Sequence, residues 1–400
     1  MSNWQELEAK YYMQVVARTP LTLVRGRGAR VWDDNGREYL DFVGGWAVNI
    51  LGHCHPAVTQ AVTEQAKTLI HTSNQFYTIP QVRLAELLIQ NSCLDRVFFC
   101  NSGTEASEGA VKLARRYGKL HLDGAYEVIT AINSFHGRTL AMVAATGQAK
   151  FQEPYTPLPV GFTNVKYNDI EAIKSATTPQ TCAVMLEPLQ GEGGVNIPSE
   201  GYLAAVRDWC DRKGLLLILD EIQTGLARTG TLFAYEQHGI EPDIMTLAKG
   251  IASGLPIGAI LAKERASVFT TGDHGSTFGG NPVACAAGYA TLKFILENNI
   301  AAHVRTVGEH LASGLAELKQ RFTFVSDVRG RGLLAAMEFK SDIAAAVVAA
   351  CLDGGLLVNK LKANALRFMP PLIISSSQVD EALGILGKAL SSVSSHVEAE

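Results

Sequence analysis

Apolar residues along this chain of 400 residues repeat with two periods, and the two exchange along its length. Between residues 18 and 42 the runs are short. Ala29-Arg30-Val31-Trp32 and Tyr39-Leu40-Asp41-Phe42 flank Asp34-Asn35-Gly36, a turn sequence that predicts a hairpin. Val58, Ala61, Val62, Ala66 and Leu69 stand at helical spacing, which predicts an amphipathic helix over 58–70, and 82–89 follows the same rule. From residue 95 wholly apolar strand-length runs alternate with helical patterns. Strands are predicted over 96–99, 126–130, 182–186, 215–219, 244–247 and 257–261, and helices over 105–117, 202–213 and 281–297. Strands without a polar face predict a mostly parallel sheet covered by helices on both sides, an α/β architecture.

The character changes near residue 300. Helices over 301–318, 342–352 and 378–393 alternate with short strands over 334–339 and 365–368, which predicts a smaller α+β unit. The chain is therefore divided into a large domain over 58–298 and a small domain built from both termini, 1–57 and 299–400. No internal repeat or low-complexity tract interrupts this plan.

Composition narrows the function. With 47% hydrophobic residues there is material for a core of two-domain size. The formal charge of −4, without a basic block, argues against nucleic acid and against anionic membranes as partners. Cys54, Cys93, Cys100, Cys182, Cys210, Cys285 and Cys351 are scattered with no C-x-x-C pair, which predicts reduced thiols and no metal site. Glu6 and Glu8 interrupt the first ten residues, so no secretory signal is predicted there, and no apolar run nears the roughly 20 residues of a membrane span. The expectation is a cytoplasmic protein.

Several strand ends carry chemistry. The run 215–219 closes on Asp220-Glu221. Ligands of open α/β sheets bind beyond the carboxyl ends of strands, so an acid there faces a site, although a lone Asp is more often a cap. Lys249 follows strand 244–247 directly and precedes Gly250. A lysine whose pKa is lowered by burial forms a Schiff base with an aldehyde cofactor. Pyridoxal 5'-phosphate (PLP) also needs an acid opposite its ring nitrogen, and Asp220 and Lys249 could serve the two ends of one ring. Asn101-Ser102-Gly103-Thr104-Glu105-Ala106 opens a helix and suits either a phosphate or a plain capping box. In Phe135-His136-Gly137-Arg138-Thr139 the aromatic could stack on a planar group, and the arginine could grip a carboxylate. The glycines and hydroxyls of 274–282 precede a helix, and Leu366-Arg367-Phe368 places a cation on a short strand. Each has an ordinary alternative: a surface lysine, a core Phe, a solvated Arg. Jointly they supply every part that one cofactor needs.

With these residues the chain resembles the class III (fold type I) aminotransferases, in the acetylornithine/ornithine branch, from about residue 18 to 390. The resemblance rests on Gly52-His53-Cys54-His55-Pro56, Ser102–Ala106, Phe135–Thr139, Gln190-Gly191-Glu192-Gly193-Gly194, Asp220-Glu221-Ile222-Gln223-Thr224-Gly225, Ala248-Lys249-Gly250 and Ser276–Pro282. It implies that Lys249 carries PLP and shuttles protons. Asp220 would pair with the ring nitrogen, with Glu221 in the same cofactor-binding set and Gln223 by the phenolic oxygen. Gly103 and Thr104 would hold phosphate, and Phe135 would stack on the ring. Thr277 would reach the phosphate of the other subunit's PLP, so a homodimer with shared sites is expected. Arg367 would grip 2-oxoglutarate or glutamate, with Glu192 as the gate that pairs with it while the amino donor is bound. Arg138 and Ser276 match positions that touch an acetylornithine-type donor.

The implied reaction moves the terminal amine of N2-acetylornithine to 2-oxoglutarate, giving N-acetylglutamate 5-semialdehyde and glutamate, a step of arginine biosynthesis. Other readings are an ω-aminotransferase for GABA, ornithine or succinyl-diaminopimelate, an aminomutase, and a non-catalytic binding module. An aminomutase has no use for a 2-oxoglutarate arginine, and a binding module has none for Lys249. Trp46 stands where ornithine enzymes carry Tyr and acetylornithine enzymes a small aliphatic residue, and Ser107 stands where the family often has Asn.

Overall fold

A computed structural model describes residues 4–397; the outermost three residues of each expected small-domain segment lie outside it. Three sheets organise the chain. Strands β1 (Leu23–Arg27), β2 (Arg30–Asp33) and β3 (Glu38–Asp41) form an antiparallel meander. Its second turn is the expected one at Asp34-Asn35-Gly36, with Gly36 at φ 83, which favours glycine.

The large sheet has seven strands: β4 (Arg96–Cys100), β5 (Glu127–Ala131), β6 (Phe162–Val165), β7 (Thr181–Leu186), β8 (Leu216–Asp220), β9 (Ile244–Leu247) and β10 (Gly258–Ala262), in the order β4-β10-β9-β8-β7-β5-β6. Pairing is parallel from β6 to β9, while β10 runs antiparallel to both β9 and β4. The carboxyl ends of β4, β5, β7, β8 and β9 therefore share one edge with the amino end of β10. Every residue of β7, β8, β9 and β10 is buried, as wholly apolar strands require. Helices Gly103–His121, Tyr202–Lys213 and Pro282–Glu297 are the ones the periodicity predicts, the second with the expected ends and the other two with somewhat different ones. The first is capped by Ser102, whose Oγ accepts the Glu105 N–H at 3.3 Å.

Past residue 300, helix Ile300–Arg321 packs on a third sheet of β11 (Val325–Arg331), β12 (Leu334–Phe339), β14 (Asn359–Lys362) and β15 (Ala365–Phe368), all antiparallel. Between them β13 (Leu356–Leu357) pairs in parallel with β3, so the meander is extended by a strand from the far end of the chain. One contiguous apolar cluster runs from Leu40 and Phe42 through Val184 and Leu219 to Leu366 and Leu390. Among the described residues no helix is long and apolar enough to cross a membrane.

Candidate active site

The shared strand edge opens into a cavity of about 390 Å³. Its walls come from the segments that leave those strands: 101–104 after β4, 135–138 after β5, Glu187 and Glu192 after β7, 220–223 after β8, and Ala248 and Lys249 after β9, closed by 254–257 before β10. Strand ends hold side chains more rigidly than free loops, and this edge is where an open α/β sheet binds its ligand.

Lys249 opens the 3-10 turn Lys249–Ala252 and has a left-handed backbone, φ 39. A non-glycine residue held there stores about 1 kcal/mol of strain or more, which the surrounding packing must enforce. Among the described residues its ammonium has no hydrogen bond and no ion pair. Burial first, and then the Arg367 charge, push it down to about 8, against the pull of Glu192, Asp220 and Glu187.

Asp220 ends β8 and is 3% exposed. Its Oδ2 meets His136 Nδ1 at 2.7 Å, and its Oδ1 accepts the Ile222 N–H at 3.1 Å. Burial disfavours a charged His136, but the Asp220 carboxylate outweighs it and the net shift is upward. The two side chains thus form a buried, hydrogen-bonded acid–imidazole pair.

Gly103 and Thr104 form the first turn of helix Gly103–His121, whose amide dipoles favour an anion. Thr104 Oγ1 accepts the Arg138 N–H at 3.1 Å, which ties this turn to the segment after β5. The approach is so close that a Cβ on Gly137 would lie 2.1 Å from that oxygen. Phe135 lines the same wall, with the Arg138 guanidinium 5.4 Å from its ring centre and 3.9 Å from that of Phe151.

Across the cavity Arg367, on β15, is 1% exposed. Its Nη1 pairs with Glu192 at 2.8 Å and donates to Gln223 Oε1 at 3.3 Å, and its Nε donates to Asn359 at 3.1 Å. Burial opposes ionisation of Glu192, but Arg367 overcomes it and lowers the carboxyl below its ordinary value.

Eight of the residues singled out in the sequence thus meet in one cavity: Gly103, Thr104, Phe135, Arg138, Glu192, Asp220, Gln223 and Lys249. Arg367 joins them through its ion pair. Glu221 does not. Its side chain leaves β8 on the opposite side from Asp220, accepting Thr224 Oγ1 at 2.7 Å, Ala234 N at 3.0 Å and Tyr235 N at 2.8 Å. Ser276 and Thr277 line a separate hollow with Asn101, Glu105 and Thr139. Trp46 is 54% exposed and outside the cavity, and Ser107 is fully buried in its helix, its hydroxyl without a partner among the described residues. Two residues carry no role in the sequence reading. His136 was visible only as a neighbour of Phe135. Glu187 stands directly after β7 as Asp220 closes β8, so the strand-end rule could have found it.

Comparison with known proteins follows this geometry. The family model Aminotransferase class-III matches residues 11–390. Acetylornithine aminotransferase of Caldanaerobacter subterraneus subsp. tengcongensis is 50% identical over 387 residues, covering 96% of this chain and 98% of that protein. A structure of the Toxoplasma gondii ornithine aminotransferase, described as having partial occupancy of PLP at the active site, superposes with a TM-score of 0.95 at 34% identity, over 98% of this chain and 94% of that one. Acetylornithine aminotransferase of Elizabethkingia anophelis superposes with a TM-score of 0.87 at 34% identity, over 97% and 98%.

Proposed function

The chain belongs to the class-III aminotransferases, and we propose that within this family of PLP enzymes it moves the terminal amine of N2-acetylornithine to 2-oxoglutarate. The observation that carries the reading is the buried Arg367–Glu192 pair facing Lys249. One pocket must take an ω-amine from one substrate and an α-amine from glutamate. A buried arginine without an anion is costly, so it needs a substitute partner whenever the dicarboxylate is away. Glu192, more accessible than Arg367, is that partner.

The cavity fits PLP on its own terms. A lysine with no ion pair among the described residues, a buried acid and an open helix N-terminus are the complements of an aldehyde, a protonated ring nitrogen and a phosphate. When bound, PLP supplies an aldehyde that condenses with amines and a pyridinium that withdraws electrons from the substrate carbon.

The rest is done by the chain. Lys249 holds the cofactor and moves a proton at Nζ, which with a pKa of about 8 is poised to give and accept near neutrality. Asp220 would hold the proton on the ring nitrogen, and His136 orients the Asp220 carboxyl. Gly103 and Thr104 would hold the cofactor's phosphate, Phe135 would stack on its ring, and Gln223 would serve its phenolic oxygen. Glu192 closed on Arg367 leaves the site ready for an ω-amine donor, and its withdrawal exposes Arg367 to 2-oxoglutarate. Arg138 receives the far end of the donor, joined by Ser276 from the other copy in the dimer described next.

We read the working unit as a homodimer in which Thr277 completes the phosphate site of the other copy. Ser276 and Thr277 lie outside this chain's own cavity, beside exposed Phe278. Seven free cysteines agree with a cytoplasmic setting.

Single-turnover reaction of the PLP form with N-acetylornithine, ornithine, GABA and succinyl-diaminopimelate tests the donor. The cofactor band should disappear fastest with N-acetylornithine. A faster reaction with ornithine, the substrate named in the Toxoplasma relative, would keep the mechanism and replace the donor.

A further inference from the structure

Glu187 is 6% exposed and lines the cavity, yet neither the cofactor nor the substrates require it in the mechanism above. Its carboxylate is shared between two segments. Oε2 accepts the Phe135 N–H at 3.1 Å, and Oε1 accepts the Gly191 N–H at 3.2 Å. One segment carries the aromatic wall. The other carries Glu192, one residue after Gly191.

Gly191 is also held from its other side. A Cβ there would lie 1.7 Å from Gln223 Oε1, the oxygen to which Arg367 donates. The loop returns on itself through a bridge between Gln190 and Asn196. Gly191 is therefore a fixed foot, and Glu192 swings from the next Cα. Behind the foot, Tyr167 Oη donates to the carbonyls of Glu187 and Pro188, both at 3.1 Å, so the clamp itself is anchored.

We propose that Glu187 is a positioning residue that ties the Phe135 wall to the foot of the Glu192 gate, and so sets how readily Arg367 is released to a dicarboxylate. This rests on the reading of Arg367 as the dicarboxylate anchor. Among the described residues no cation bonds to Glu187; His136 and Asp220 are the titratable groups that face it most closely, with Lys249 across the cavity. Burial pushes its carboxyl up to about 7 against the pull of His136 and the two amides. A neutral isostere is therefore a mild change in charge but a real change in hydrogen bonding. In Glu187→Gln one oxygen still accepts, while the amide NH2 faces an N–H it cannot satisfy, and one end of the clamp opens.

The test is calorimetric titration of the PLP holoenzyme with glutarate, a dicarboxylate that has no amine to transfer. E187Q should bind glutarate about tenfold more tightly, the change expected for one charge-assisted hydrogen bond lost from the closed gate. In an E192Q background the same substitution should change nothing further. Additive tightening would mean that only a negative charge was removed, and no tightening would mean that the foot does not govern the gate; either overturns the clamp. E187D keeps the charge but is one methylene too short to span both amides, so it should match E187Q, and a wild-type response from it also overturns the proposal. If E187Q fails to fold, E187D carries the cycle. Glutarate affinity that survives Arg367→Ala would overturn the anchor reading and the clamp together, whereas additivity at an Arg367-dependent site overturns the clamp alone.

Discussion

Arg367 is 1% exposed and keeps the Glu192 carboxylate at 2.8 Å, so its buried charge has a partner. Arg367→Ala removes the dicarboxylate anchor and leaves a partly accessible Glu192 that can turn to water. The KM for 2-oxoglutarate should rise about 10- to 100-fold, the worth of a charge-assisted pair. The single-turnover rate with the ω-amine donor should stay within a few-fold, since that half-reaction uses the gate closed. Equal loss in both half-reactions would contradict a switch. Lys249 allows a harsher test. Lys249→Ala should abolish the absorption band of lysine-bound cofactor and cut turnover by at least about 10²-fold, the share of a general acid–base group. Activity close to wild type would remove Lys249 from the mechanism. Both residues stand out in the sequence because each sits in or just beyond a predicted strand and carries a charge that an apolar neighbourhood does not explain. His136 and Glu187 do not stand out, because their importance lies in what approaches them. His136 is defined by Asp220, 84 positions away, and Glu187 by Phe135, 52 positions away.

Among elements, uniformly apolar strands were the most legible. β6, with Thr163 and Asn164, and β11, with Ser326, Asp327, Arg329 and Arg331, escaped the periodicity. Both are edge strands, where one side of the ladder is free and polar side chains are tolerated. The reversed direction of β10 was readable in principle. Only residues 248–257 separate it from β9, too few for the crossover of about a dozen that a parallel neighbour needs. Glu221 misled for a related reason: consecutive residues of an extended chain face opposite ways, so Asp220 and Glu221 could not both enter the site. Glu221 instead accepts the amides that open the 3-10 turn Ala234–His238. Burial pushes it up to about 7, although Thr224 and the two amides oppose this. The folded state thus binds this proton more tightly than the unfolded chain, so the group contributes stability below about pH 4.5 that is lost as pH rises toward 7. The loss is on the order of 3 kcal/mol. Glu221→Gln has no proton to lose. Urea unfolding of the cofactor-free protein should therefore show a flatter dependence between pH 5 and 8 in the variant than in wild type. Parallel curves would mean that Glu221 titrates as an ordinary acid.

For the whole molecule the unfinished surface is the informative one. Leu69, Ile70, Phe76, Tyr77, Ile79, Val82 and Phe278 are between 40% and 100% exposed. They are neighbours: His71 meets the Phe278 ring at 5.0 Å, and Asn74 donates to the carbonyls of Ser276 and Gly279, both at 2.9 Å. An exposed apolar patch of this kind is what a second copy of the chain would cover in the homodimer proposed above. Its position supports the proposed shared site, because Phe278 and the carbonyls that Asn74 holds adjoin Thr277, which this chain's own cavity does not use. The two properties separate by mutation. Tyr77→Asp puts a charge on the most exposed ring of the patch, and it should shift sedimentation from dimer to monomer and weaken PLP binding with it. Thr277→Ala should leave the dimer intact and weaken PLP binding about tenfold, the worth of one hydrogen bond to a phosphate. Mixing Thr277→Ala chains with Lys249→Ala chains then decides which copy owns the threonine. In the mixed dimer the intact Lys249 faces a Thr277 from its partner, so full-affinity sites should reappear at up to one per heterodimer. If they do not, Thr277 serves its own chain, and the apolar patch joins two complete enzymes.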